Sequence, residues 1–431
     1  MDSKRVKLLY GREGLEVSLP AEAAVLRGPH GKVLEKPGDA VRAAIENPIG
    51  CEGLSTLVKR KKPKTVVITI SDITRPVPNV VILPEILAVL NGCGVKDEAV
   101  TIVVGTGMHR PSTAQEKVEL VGPEVLKRVK VIDHLPEEAS ELVRVAENPA
   151  VYANKTFVEG EFRIVTGLIE PHFMAGYSGG RKGVCPALVD LKTVQRFHGH
   201  RVMGDVKSAS GVLEGNPCHE ESLRIAKTIG IDFLVNVAID GQRRVCGVYA
   251  GEMEAAHAAG VRDVEKWVSA KIEEPFDLVV TCGGGYPLDK TFYQTGKGMV
   301  TALPACHKGT TVLIVAECEE GVGSESFTEL MTGWSGKWRE FLTHIAGTDV
   351  KKDQWQVQML TRVMAAVGTE QVLLVCDGLK ADVVKKLWVT PVEGRGSAAE
   401  RAQRVIDEYV AKHPKARVCV VPEGPYTMLV A

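Results

Sequence analysis

Four loops of the chain concentrate side chains that bind anions, move protons or ligate metals. In Ser71-Asp72-Ile73-Thr74-Arg75-Pro76, Arg75 offers a planar fork for a carboxylate or phosphate. Pro76 biases the Arg75 backbone away from helix, and Asp72 and Thr74 can hydrogen-bond a ribose or a phosphate. In the stretch GTGMHRP, Gly105 and Gly107 let the backbone approach a ligand closely, and His109 follows. The densest loop runs from Glu170 to Lys182, EPHFMAGYSGGRK. There His172 adds a second imidazole, and the Gly179-Gly180-Arg181-Lys182 end resembles a phosphate-holding turn that finishes on an amine. The pattern GxxxxGK[ST] is absent, which disfavours kinase or nucleotidase chemistry. His198 and His200 follow after one helix-length segment. In the fourth loop and its continuation, Gln294 and Lys297 are three apart and share a face if helical, a candidate clamp for a carbonyl or carboxylate. Taken singly, each feature has a plain structural explanation as a helix cap, a core histidine or a solvated side chain. Together they supply two imidazoles for a symmetric acid/base task, several carboxylate binders and an anchoring lysine.

Such side chains need a rigid frame. Residues 65–70 (TVVITI), 99–104 (AVTIVV) and 163–168 read as buried parallel strands, and each runs into one of the first three loops. Residues 79–93 have helical apolar spacing, and residues 1–20 read as two short strands around a glycine turn. The stretch 270–275 is charged, contains Pro275 and reads as a linker. Beyond it, strands at 277–282, 310–316, 371–376 and 416–421 alternate with helical segments. This pattern predicts an α/β protein of two domains, each a mostly parallel sheet with flanking helices. The expected division is 1–272, then 273–420, with a tail over 421–431 that returns to the first domain. Ligands in open α/β sheets bind at the carboxyl ends of the strands, so the active site is expected in the interdomain cleft.

Composition narrows the class further. The chain has 431 residues, more than one compact core usually organises. Its 53 basic and 54 acidic side chains give a net charge of −1, without the basic excess of a nucleic-acid binder. No apolar run approaches the length of a membrane span, and the charged start MDSKRVKLLYGREG lacks a signal core. The ten cysteines form no CxxC pairs, which suits reduced thiols and a cytoplasmic protein.

At this point the sequence resembles the nickel-dependent lactate racemase family over nearly its whole length. The carriers are SDITRPVP (71–78), GTGMHRP (105–111), EPHFMAGYSGGRKG (170–183), FHGH (197–200) and YPLDKTFYQTGKG (286–298). The resemblance implies a racemase or epimerase that inverts C2 of a small 2-hydroxy acid. It also implies a pyridinium-3-thioamide-5-thiocarboxylate mononucleotide that holds nickel as an S–C–S pincer. Soft sulfur and imidazole donors suit Ni(II). By motif match Lys182 carries this nucleotide covalently, and His198, with His200 as fallback, ligates nickel. His109 and His172 match the paired acid/base histidines. Arg75, Gln294 and Lys297 are assigned to the substrate, and Asp72, Thr74, Gly179 and Gly180 more loosely to the nucleotide. Implied partners are the proteins that make the cofactor and insert nickel, with no nucleic acid and no membrane.

The implied mechanism is reversible hydride transfer without net redox change, one histidine serving each enantiomer. Two departures, Ala187 and Thr291 where glycine and asparagine are common, bear on the substrate rather than on an assigned catalytic role. Two rival classes remain. One is a non-catalytic nickel-nucleotide binding protein, against which both histidines speak. The other is an ordinary 2-hydroxyacid dehydrogenase, whose GxGxxG fingerprint is broken here by Arg110.

Overall fold

The computed structural model describes residues 3–430. Two six-stranded sheets organise them. The first runs in the order Val245–Gly251, Phe233–Ile239, Phe162–Leu168, Val66–Ser71, Val100–Gly105, Lys130–Asp133. Four of its five strand contacts are parallel, and at one edge Val245–Gly251 lies antiparallel to its neighbour. The second runs Thr390–Pro391, Val372–Val375, Cys306–Val315, Phe276–Cys282, Val418–Val420, Ala24–Val25, parallel throughout. The β-branched runs form the centres of both sheets. Five of the six residues of Val66–Ser71 and six of the seven of Phe162–Leu168 are buried, as expected where helices cover both faces.

The N-terminal residues depart from the expected span 1–272. Ser3–Leu8 and Leu15–Pro20 form an antiparallel hairpin. Its buried face, Val6, Leu8, Leu15, Val17 and Leu19, packs with Leu278, Val280, Leu313 and Val315 of the second sheet. Ala24–Val25 then becomes that sheet's edge strand. Alternation with a period of two says which face of a strand is buried; it does not say against which sheet. The expected linker is also structured, because Ser269–Lys271 pairs with Met428–Val430. Met428 there packs against Ile169 and Tyr177, so the end of the chain lies on the first half.

One apolar cluster joins the two halves. Val103, Val165, Phe173 and Val194 belong to it, and so do Phe292, Met299, Val312 and Trp355. The loops that leave the first sheet therefore rest on a core shared with the helices Phe292–Thr301 and Gln354–Val367 of the second half. No helix among the described residues is long and apolar enough to cross a membrane.

Candidate active site

The carboxyl ends of Val66–Ser71, Val100–Gly105 and Phe162–Leu168 open into one cavity of about 140 Å³. Asp72, Thr74, Arg75, His109, His172, Gly179, Lys182, His198, Gln294 and Lys297 all line it. The helix Phe292–Thr301, capped by the Thr291 hydroxyl accepting from the Gln294 amide, brings in Gln294 and Lys297 from the second half. Two residues stay outside the lining, Gly180 and His200.

His109 is held by a carboxylate. Its Nδ1 lies 2.6 Å from Asp72 Oδ2, with the side chain one-third exposed. Asp72 is fixed in turn by the Thr74 hydroxyl, which donates to Oδ1 at 2.6 Å. Burial opposes the Asp72 charge. His109, the Thr74 hydroxyl and Arg75 outweigh it and hold the carboxyl below its usual range. Asp72, assigned to the nucleotide by resemblance, is thus engaged by His109, and Thr74, assigned likewise, by Asp72. A short polar turn can serve either purpose, and only the fold decides which group comes within reach.

His172 is held by backbone. The amides of Met174 and Ala175 point at its Nδ1 from 3.4 and 3.3 Å. The ring is buried, and burial together with Lys182, Lys297, Arg75 and Arg181 drives its pKa well below the ordinary value.

Lys182 ends a short 3-10 turn, Gly180–Gly183. Burial first, then Arg181 and Arg75, bring its amine down to about 7, which makes the neutral form easy to reach. Lys297 is pushed well below the usual ammonium range by burial and by Arg75, while Glu170 works the other way. The two glycines have packing duties. A Cβ on Gly179 would meet Asn236 Oδ1 at 2.6 Å, and one on Gly180 would meet the His257 ring at 2.7 Å, both at positive φ. The Gly180 amide already donates to Asn236 Oδ1 at 2.7 Å, so it is not free for a phosphate.

Geometry separates the two metal-ligand candidates. The buried His198 donates from Nδ1 to the Val194 carbonyl at 2.8 Å and stacks 4.8 Å from Trp355. That arrangement leaves Nε2 as a lone-pair donor, the usual pattern for a ligating imidazole. Burial brings its pKa to about 3, so the ring is neutral as ligation requires. His200 heads the next helix away from the cavity.

Sequence reasoning missed the apolar wall. Met108, Phe173, Met174, Tyr293 and Trp355 line the cavity, and Gln356 donates to the Tyr293 carbonyl at 2.6 Å. The helix starting QWQVQ carried one available signal, since its three glutamines are all buried. Of the departures, Ala187 accepts from the Gly107 amide through its carbonyl and lines the cavity, and Thr291 caps the helix Phe292–Thr301.

Comparisons with known proteins identify the family. The sequence model of the lactate racemase N-terminal domain matches residues 10–211, and that of the lactate racemase C-terminal domain matches 272–429. The chain is 32% identical over 429 residues to the lactate racemase of Thermoanaerobacterium thermosaccharolyticum, covering 97% of each chain. It is 32% identical to that of Lactiplantibacillus plantarum over 98% of this chain and 97% of that one. The structure of the lactate racemase apoprotein from T. thermosaccharolyticum superposes with a TM-score of 0.88 at 29% identity, covering 99% of this chain and all of the other. A Thermotoga maritima protein of 16% identity shares the fold, with a TM-score of 0.71 over 93% of this chain and all of the other. With the two family models covering most of the chain and 32% identity to curated relatives over nearly its whole length, the protein belongs to the lactate racemase family of isomerases.

Proposed function

We propose that the protein racemises lactate or a closely related small 2-hydroxy acid, using a nickel-bearing pyridinium nucleotide bonded to Lys182. The observation that carries this reading is the convergence of His109, His172, Arg75, Lys297, Lys182 and His198 on one cavity at the seam of two α/β units. The division of those units near 272/273, with the N-terminal hairpin on the second, is part of the same proposal.

The residues fit the implied group. Among the described residues no cluster of three or more His, Cys, Asp or Glu side chains forms a metal site. A metal held by His198 therefore takes its other donors from a bound organic group. Lys182, buried and lowered to about 7, is an amine ready to be acylated. When bound, the group accepts the C2 hydride and returns it.

The chain's own residues do the remaining work. Arg75 and Lys297 bind the substrate carboxylate. Gln294, whose buried Oε1 has no partner, can accept from a substrate hydroxyl. His109 and His172 exchange the hydroxyl proton, one for each enantiomer. The flat keto acid stays held by its carboxylate while either face is reprotonated. The apolar wall of Met108, Phe173 and Trp355 excludes water and suits a short apolar substituent.

Mass and metal analysis after co-expression with cofactor-making and nickel-inserting proteins test the assignment. Lys182→Ala should fold but carry no nucleotide adduct. His198→Ala should keep the adduct and lose nickel. An unchanged adduct on Lys182→Ala, or nickel lost from His200→Ala instead, would sink the corresponding role.

A further inference from the structure

Glu170 precedes the His172 loop, and the proposed reaction gives it no role. Its Oε1 lies 3.4 Å from Arg75 Nε, and its Oε2 is buried without a hydrogen-bond partner. It borders the narrow space between the cavity and a larger neighbouring cleft, alongside Arg75, His172, Lys297 and Tyr426. The carboxylate thus sits among the two cations assigned to the substrate. Asp72, the other acid near them, is already engaged by His109 and Thr74.

We propose that Glu170 is a positioning residue that aims Arg75 at the substrate carboxylate. The proposal rests on the reading that Arg75 binds that carboxylate.

Glu170 faces the guanidinium's Nε, and the long bond from Nη1 to the Thr74 carbonyl, 3.4 Å, uses another edge. Nη2 has no partner among the described residues and is left for an incoming oxygen. A planar fork recognises a carboxylate only when its plane is fixed. Arg75 sits in a tight turn, its amide donating to the Asp72 carbonyl at 3.2 Å and its carbonyl accepting from Val77 at 2.8 Å. The backbone is therefore set, and the side chain needs an anchor on its far edge. Glu170 is also the countercharge for the Lys297 ammonium; burial and Arg75 disfavour that charge, and Glu170 favours it. One carboxylate thus faces both cations: burial raises its own pKa while Arg75 and Lys297 lower it, and it offsets part of what burial takes from the Lys297 charge. A carboxylate so close to an anion site also repels the ligand. The competing outcome, tighter anion binding once its charge is removed, is thereby a direct test.

The nickel-loaded protein is assayed with each lactate enantiomer as wild type, Glu170→Gln, Glu170→Ala and Arg75→Ala. Oxalate binding to the cofactor-free proteins is measured by calorimetry. Glutamine keeps a polar oxygen beside Nε and loses the charge; alanine loses both. KM should rise from wild type to Glu170→Gln to Glu170→Ala, reaching about tenfold or more, the scale of one lost hydrogen bond to a charged group. The kcat should change far less, and oxalate affinity should fall in the same order. An unchanged KM, tighter oxalate binding, or a loss confined to kcat overturns the proposal. If Glu170→Ala fails to fold, the near-isosteric Glu170→Gln decides alone, by whether its KM rises. If Arg75→Ala raises KM and the Glu170 variants do not, only the role of Glu170 falls. If Arg75→Ala leaves KM unchanged, the substrate assignment on which it rests falls as well.

Discussion

His109 and His172 line the same cavity and are held by opposite kinds of partner. Asp72 accepts a hydrogen bond from His109 Nδ1, which leaves Nε2 as the lone-pair nitrogen. Two backbone amides point at His172 Nδ1, so the neutral ring carries its proton on Nε2. The carboxylate also stabilises His109 once it becomes an imidazolium, as a partner acid does in hydrolytic triads. His172 instead faces Lys182, Lys297 and Arg75, and every one of them opposes its protonation. Residue identity is shared while the environment divides the roles. On the proposed mechanism His109 is the base that a carboxylate orients, and His172 becomes an effective acid as positive charge near it is neutralised. Acylation of Lys182 by the proposed nucleotide would leave no charge there, and a substrate carboxylate would offset those on Arg75 and Lys297.

Deleting either imidazole should produce the largest effect. His109→Ala and His172→Ala should each lower net racemisation by about 10²–10⁴-fold, the usual contribution of a general acid or base. Neither direction can be completed without both. Single turnovers should reveal the division, since each variant should still form keto acid from the one enantiomer its remaining histidine serves. Rapid-quench measurement of keto acid from each enantiomer tests this. Equal yields from both enantiomers in both variants would break the comparison and make one histidine a structural residue.

Asp72→Asn should act next most strongly, and on one side only. It removes the acceptor that fixes the His109 tautomer and stabilises its cation. Hydrogen bonds to charged groups contribute about 1.5–3 kcal/mol, so the enantiomer served by His109 should turn over about 10- to 150-fold more slowly. The first half-reaction of the other enantiomer should be nearly unchanged. Equal slowing of both would mean that Asp72 supports the whole loop rather than one imidazole.

The sequence revealed the frame and the membership of the site more readily than its internal pairings. Runs such as TVVITI announce buried parallel strands because nearly every position is apolar, and the loops that follow them must lie at the sheet's edge. That is enough to gather His109, His172, Arg75 and Lys182. The bond between Asp72 and His109 joins residues 37 positions apart, and no periodicity encodes it. Glycines 179 and 180 read as ligand cradles, yet what requires them is crowding by Asn236 and His257, visible only once distant elements are packed. The hairpin Ser3–Leu8 with Leu15–Pro20 was legible as two strands; its place on the second sheet depends on packing against residues such as Leu278 and Leu313, far along the chain. His198 and His200 look equivalent in FHGH, and the end of the helix Leu191–Phe197 separates them.

The smallest predicted effect is a titration shift at His172. Burial is the leading cause of its lowered pKa, and Lys182 is the first of the neighbouring charges that add to it. In the cofactor-free protein the ring should therefore remain neutral on acidification well past 6.5, the ordinary midpoint for an imidazole. Lys182→Met removes one cation with little change in volume, so the His172 midpoint should move upward, toward its ordinary value. The sign matters for catalysis. Returning a proton requires the imidazolium, whose fraction grows as pH falls toward the midpoint, so a higher midpoint gives more acid form at any given pH. Acylation of Lys182 has the same electrostatic consequence, and the loaded protein should shift in the same direction. Histidine-selective NMR across an acid titration, with the resonance identified by its loss in His172→Gln, measures this without turnover. A midpoint at or above the ordinary value in the wild type, or one that falls in Lys182→Met, would mean that the cations do not control His172. The contrast with His109 would then rest on the backbone amides alone.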